Sequence, residues 1–295
     1  MHLHLLTGSP SQHNLPRQVD AVCQRSDCGQ RAEPIANAES LLAAMQQARN
    51  EGIATASLRD GELLQRPEAL EILQQSRKMG FSALEVWSNG HLLAQPGAAE
   101  AIARAGATHI AVPLYGDTAE SHDFVTATPG HFARAIAGLR RARAAGLRTV
   151  VVVPILRPTF RNLSQIVQKS LAIEVSAFRI VAHDGPDRDK HPLLAPLPLA
   201  SRYVQLAQAR ADAAKKRCTI SDIPLCLLGE QVADALREVT RIVTLAEVAA
   251  EAKAYLHGKP CEPCAWRDRC PGQLAGLAAA HGWVGVSARM DVAAA

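Results

Sequence analysis

Aromatic side chains are scarce in this chain, at 4% of 295 residues, so its interior must be built from aliphatic packing, for which Ala, Leu and Val are abundant. No apolar stretch approaches the ~20 residues that a membrane-spanning helix needs, and no membrane span is expected. The first ten residues, MHLHLLTGSP, have neither a basic start nor an apolar centre, so they are not expected to act as a secretory signal. Charge of one sign is lacking too. The formal net charge is +4, and the cations are scattered apart from short runs such as Arg140-Arg141 and Lys215-Lys216-Arg217. A nucleic-acid surface needs a denser basic face, and none is expected. Cysteine is missing between Cys28 and Cys218; the seven stand at 23, 28, 218, 226, 261, 264 and 270. An odd number argues against a complete disulfide framework. The expected address is the cytoplasm, where clustered thiols more often hold metals or do redox chemistry than pair with one another.

What is present is an alternation of short apolar runs with longer amphipathic stretches. Strands are expected at Val19–Cys23, Ala54–Arg59, Ala83–Ser88, His109–Tyr115, Arg148–Ile155 and Ala177–His183. Helices are expected at Ala38–Asn50, Pro67–Met79, Gly97–Ala105, Gly130–Ala145 and Asn162–Val175. Gly52, Gly80, Gly106 and Gly146 stand where helices should stop. Strands separated by helices imply parallel pairing through right-handed crossovers, and an open wound sheet and a (β/α) barrel both fit. The run TVVVVPI reads as a strand buried on both faces. His2 and His4 alternate at the N-terminus in the manner of an edge strand with a solvated face. After His183 the chain turns rich in Pro and Asp. Helices are then expected at Ser201–Lys216, near Leu245–Leu256 and near Gly272–His281, with Thr219–Leu227 between the first two. The expected division is a βα core over residues 17–190 and an extension over 191–295.

The chemistry is densest in CEPCAWRDRCPG. Cys261 and Cys264 can aim two thiolates at one centre from a turn stiffened by Pro263, and Cys270 can close it from another side. A fourth soft ligand is needed. Cys226, in IPLCLL, is the candidate and Cys218 the runner-up. Trp266 is expected to shield the loop from water. Free or disulfide-bonded thiols are the competing reading, which a reducing compartment disfavours. Four thiolates suit an iron–sulfur cluster or zinc.

A second concentration of unusual residues follows the strands: Gly61-Glu62, Asn89-Gly90, Tyr115-Gly116-Asp117 with His122-Asp123, Arg157, and His183-Asp184. In a parallel barrel all lie on one rim, where binding sites are built. Their bland reading is that Gly, Asn and Asp make turns. His183-Asp184 reads either as an acid/base pair or, more commonly for such a loop, as structural.

The run DGELLQRPEALEILQQSRKMGFSALEVWSNGHLL, and the following IARAGATHIAVPLYGDTAESHDFVTATPGHFARAIAGLRRARAAGLRTVVVVPI, resemble the central part of radical S-adenosylmethionine (radical SAM) enzymes over residues 17–183. The resemblance implies a partial (β/α)6 TIM-like barrel with a C-terminal cysteine-containing extension. It places Gly61, Glu62, Ser88 and Asn89 against S-adenosylmethionine, with Asp60-Gly61-Glu62-Leu63 at the family's Gly-Gly-Glu-Pro and Ser88-Asn89-Gly90 at its Thr-Asn-Gly. The tail, with Cys226, Cys261, Cys264 and Cys270, resembles that of family members carrying an auxiliary iron–sulfur cluster, and implies a [4Fe–4S] cluster there. The departure is at Cys23 and Cys28, which occupy the place of the family's Cys-x3-Cys-x2-Cys but number two rather than three, with Arg31 where the third would fall. They read as ligands of an incomplete cluster or as remnant or incidental thiols. Two functions follow as expectations. One is an enzyme that generates a 5′-deoxyadenosyl radical and modifies a substrate, a peptide by analogy, if the N-terminal cluster can be completed. The other is a non-enzymatic scaffold or substrate carrier that partners an intact radical SAM enzyme.

Overall fold

Parallel strands form because each short β-branched run is returned to the same end of the sheet by the helix that follows it. The structure, a computed structural model, describes residues 2–6, 37–59, 62–183, 193–228, 241–242 and 255–289. In chain order these hold β1 (His2–Leu6), α1 (Ala38–Asn50), β2 (Thr55–Arg59), α2 (Ala69–Lys78), β3 (Ala83–Trp87), α3 (Ala98–Ala105), β4 (His109–Pro113), α4 (Ala119–Thr126), α5 (His131–Ala144) and β5 (Arg148–Ile155). They continue with α6 (Leu163–Leu171), β6 (Ala177–Ala182), α7 (Leu197–Ala213), β7 (Arg217–Ser221), β8 (Arg241–Ile242), β9 (Tyr255–Leu256), β10 (Gln273–Leu274) and α8 (Ala275–His281). The main sheet runs β7-β6-β5-β4-β3-β2-β1-β8 with every pair parallel. Strands β1 to β6 curl into a half-barrel with helices outside, the expected α/β partial TIM-like fold. Among the described residues no helix is long and apolar enough to cross a membrane.

Side-chain alternation divides the sheet into two faces. Leu58, Leu84, Val86, Ile110, Val112, Val151, Val153, Phe178 and Ile180 join the helices in one large aliphatic core. The opposite, inner face carries Ser57, Glu85, Trp87, Ala111, Val150, Val152 and Arg179, and its apolar members form a separate cluster. In β5 every residue after Arg148 is buried, as a strand covered on both faces requires. The four expected helix-stopping glycines all have positive φ.

Two expectations are corrected. The strand beside β2 is His2–Leu6, paired in register from His2 with Thr55 to Leu6 with Arg59. It lies between β2 and β8, so it is not an edge, and Val19–Cys23 falls outside the described residues. The sheet also takes in β7, Arg217–Ser221, beside β6. Second, Tyr255–Leu256 is not helical: it pairs antiparallel with Gln273–Leu274, which brackets the cysteine loop, while the rest of the expected Leu245–Leu256 helix lies outside the described residues. Helix α4 is additional to the expected elements. It starts on a reciprocal cap, in which Thr118 and Ser121 each accept from the other's backbone N–H.

Candidate functional site

The floor of the half-barrel is built from an ion pair inside the sheet. The Arg179 guanidinium donates to both carboxylate oxygens of Glu85, at 3.0 and 3.2 Å. Ser57 Oγ and Trp87 Nε1 donate to Glu85 Oε1 at 2.6 and 2.8 Å, and Arg179 lies over the Trp87 ring. Burial pushes the Glu85 carboxyl up, but the Arg179 charge and the three donors more than offset it and hold the group at about 2. A buried carboxylate so fully satisfied is a filled interior rather than a reactive group.

The rim lies at the C-terminal ends of β2, β3 and β4. Glu62 is buried, and its Oε2 accepts from the Asn89 backbone N–H at 2.7 Å. Its Oε1 is buried without a well-formed hydrogen bond. Burial pushes the carboxyl up to about 7, against the lowering effect of the Asn89 and Leu64 amides and the Ser88 hydroxyl. Ser88 is fully buried and its Oγ accepts from Gly90 N–H at 3.0 Å, while Asn89 Oδ1 accepts from His91 N–H at 2.9 Å. These contacts fix the Ser88–Gly90 turn. Helix α5 clamps it from outside: a Cβ at Gly138 would collide with the Gly90 carbonyl oxygen, so only glycine permits this approach. Of the four expected cofactor contacts, Glu62, Ser88 and Asn89 meet here, and Gly61 lies outside the described residues.

Behind the turn sits a cluster that sequence spacing did not reveal. The rings of His91, His122 and His131 stack edge to face, with centroids 4.1 Å apart for His91 and His131 and 5.0 Å for His122 and His131. Tyr115 and Phe132 pack on His122. Burial holds all three imidazoles low, His91 and His122 at about 4 and His131 at about 3, so all are neutral at pH 7. His122 is completely buried and neither ring nitrogen has a hydrogen-bond partner. Its neighbour Asp123 has a structural task, accepting from Gly130 and Phe132 N–H at the start of α5. Asp117 accepts from the Asn162 side chain. In the sequence His122 stands among the rim residues beside Asp123, while His91 and His131 directly follow Asn89-Gly90 and Gly130.

The second site is the cysteine pocket. The β9–β10 pair holds the Cys261–Cys270 loop, and the turn after β7 brings Cys226 to it. The four cysteines, with Trp266 and Trp283, line one pocket whose empty space, open solvent included, is ≈ 350 Å³. Gly258 lies flat under the Trp283 indole, where a Cβ would collide with the ring. Backbone amides point at the sulfurs. Leu225 and Gly272 N–H each donate to Cys270 Sγ at 3.4 Å, and Arg289 N–H to Cys264 Sγ at 3.4 Å. The Cys226 thiol is pushed up by burial, lowered by an amide hydrogen bond from Ser287, and pushed up again by the other three cysteines. Cys218, the runner-up, sits instead in the aliphatic core on β7, where burial raises its thiol to about 12. No disulfide joins the described cysteines. Among the described residues no three His, Cys, Asp or Glu side chains are disposed to hold a single metal ion. Cys23 and Cys28 lie outside the described residues.

The sequence matches no family model and no curated protein. In three dimensions it is similar to SuiB of Streptococcus suis bound to S-adenosylmethionine, with a TM-score of 0.58 at 11% identity over 83% of this chain and 56% of SuiB. SuiB bound to the precursor peptide SuiA gives 0.57 at 12% identity, over 74% of this chain and 48% of SuiB. Native anSMEcpe with bound S-adenosylmethionine gives 0.57 at 13%, over 75% of this chain and 64% of anSMEcpe. The chain thus spans about half the length of SuiB, and at these identities the likeness is one of fold.

Proposed function

We propose that this chain is a radical SAM-type protein that binds S-adenosylmethionine at the barrel rim, carries an iron–sulfur cluster in the cysteine pocket and acts on a peptide. The observation that carries the reading is the pocket: four cysteines from two separated stretches of chain meet on one side of a half-barrel of this fold, with amide donors on three of the sulfurs. Thiolates holding a cluster are stabilised by such N–H donors, which also tune its potential. The donor set fits a cluster held by Cys226, Cys261, Cys264 and Cys270. Four thiolates can hold zinc or an iron–sulfur cluster, and the likeness of the fold to proteins solved with S-adenosylmethionine supports the cluster.

At the rim, Glu62 supplies a buried carboxyl with an unused acceptor, which suits the ammonium group of a bound amino acid. Ser88 and Asn89 hold the adjoining turn in shape, and the Glu85–Arg179 floor closes the barrel below. In the family that the chain resembles, S-adenosylmethionine beside a reduced cluster supplies radical hydrogen abstraction, and the protein's task is to orient and shield. Cys23 and Cys28 provide two thiolates where that chemistry uses three, and two do not fit a four-iron cluster. A peptide substrate is supported by the likeness to SuiB and to anSMEcpe, both solved with peptides bound.

Anaerobic reconstitution with iron and sulfide is the test. About four irons per chain, unaffected by Cys23→Ala, place the cluster in the C-terminal pocket alone; about eight, with 5′-deoxyadenosine formed on reduction, add a working second cluster. One zinc and no iron would contradict the iron–sulfur reading.

A further inference from the structure

The segment after α8 turns back across the cysteine loop. Val286 N–H donates to the Trp283 carbonyl, and Gly285 seats against Pro198 of α7. Two residues on, the Ser287 amide reaches the Cys226 sulfur. Arg289 then touches both halves of the pocket. Its backbone N–H donates to Cys264 Sγ at 3.4 Å and its carbonyl accepts from Ala265 N–H at 2.9 Å. Its Nη2 donates to the Cys226 carbonyl at 3.0 Å, across 63 residues of chain. The guanidinium lies over Trp266, 5.5 Å from the ring centroid, and the buried Nε donor has no partner.

From this placement we infer that Arg289 is a positioning residue of the C-terminal centre, tying the Cys226 turn to the Cys261–Cys270 loop and setting the cluster's reduction potential with its charge. The inference rests on the cluster reading above. Thiolate-bound clusters are anionic, and reduction adds a further negative charge. A guanidinium fixed beside the ligands stabilises the reduced form more than the oxidised one and raises the potential. Arg267, which lines the pocket, is exposed, so its charge is screened by water. Arg289 is held by Trp266 and by the Cys226 carbonyl, and it also closes the loop on its ligands. The same residue thus controls potential and retention.

The experiment uses full-length protein, reconstituted anaerobically, as wild type, Arg289→Lys, Arg289→Gln and Arg289→Ala. Iron and sulfide per chain, the midpoint potential from a spectroscopically monitored redox titration, and the rate of iron loss to a chelator are measured on each. Arg289→Gln is expected to bind iron, to titrate at a lower potential than wild type and to release iron faster by roughly tenfold, the scale on which residues supporting metal ligands act. Arg289→Lys, which keeps the charge and loses the fork, should return the potential towards wild type while releasing iron faster. If Arg289→Ala binds no iron, the potentials of the Gln and Lys variants still decide. Wild type that takes up iron, with Arg289→Gln matching it in potential and release rate, overturns the assignment and leaves the cluster standing. Wild type that takes up no iron overturns the cluster reading itself.

Discussion

Replacing Arg179 by Met leaves Glu85 as a carboxylate sealed inside the barrel without its counter-charge. Two routes give the size of the effect. The carboxyl is held at about 2 against an ordinary 4.5, and 2.5 units correspond to roughly 3 kcal/mol of native-state stabilisation above pH 5. Removing one partner of a buried pair costs about 3–5 kcal/mol in general, and the lower end applies because Ser57 and Trp87 continue to donate. For a chain of 295 residues the unfolding entropy is roughly 0.6 kcal/mol/K, so Arg179→Met should lower Tm by about 5 °C. Glu85→Gln in the same background should restore much of it, with a coupling energy of about 2 kcal/mol in the double-mutant cycle. Because the folded carboxyl is depressed, this stabilisation is present above pH 4.5 and fades as pH falls towards 2. Thermal or urea unfolding of the four proteins reads the cycle. Additive effects of the two substitutions, or a Tm for Arg179→Met within a degree of wild type, would refute the idea that the pair holds the barrel floor.

Other outcomes follow from the rim. His122 is held at about 4 in the fold, below its ordinary 6.5, so its contribution is full above pH 6.5 and is lost as pH falls towards 4, roughly 3 kcal/mol in all. His122→Phe should flatten the fall in urea-unfolding stability between pH 6.5 and 4, and an unchanged slope would contradict a buried neutral imidazole. Glu62 at about 7 should make S-adenosylmethionine bind more tightly as pH rises from 6 to 7.5, by roughly eightfold at most. Calorimetry on Glu62→Gln should show weaker binding with that dependence gone; a variant as pH-sensitive as wild type sinks the assignment. Gly138→Ala should force α5 away from the Gly90 carbonyl and cost about 1–3 kcal/mol, and a Tm equal to wild type would show that the clamp is not tight.

Local signals in the sequence reached as far as local physics does. The aliphatic run of β5, the glycine stops and the extent of α1 follow from periodicity and backbone conformation within a few residues. The clustering of Cys261, Cys264 and Cys270 is a short-range pattern visible in the sequence, and the fold brings Cys226 to the same pocket. What stayed hidden depends on contacts between distant residues. Glu85 and Arg179 are 94 positions apart, each in a strand whose pattern is equally consistent with a solvated face. His91, His122 and His131 come from a turn and two helices, and no spacing rule links them. Strand β1 is five residues of alternating HLHLL; that pattern reads as an edge, and only pairing on both sides makes it interior. Tyr255–Leu256 looked helical because its partner, Gln273–Leu274, follows on the far side of the cysteine loop.

The cysteine pocket carries the proposed function, and iron analysis of Cys264→Ala beside wild type tests it. Both proteins are purified and reconstituted anaerobically, then assayed for iron, sulfide and zinc. About four irons and matching sulfide are expected per wild-type chain, lost in Cys264→Ala with the helical circular dichroism retained. Equal iron in the two proteins, or zinc in place of iron, would contradict it.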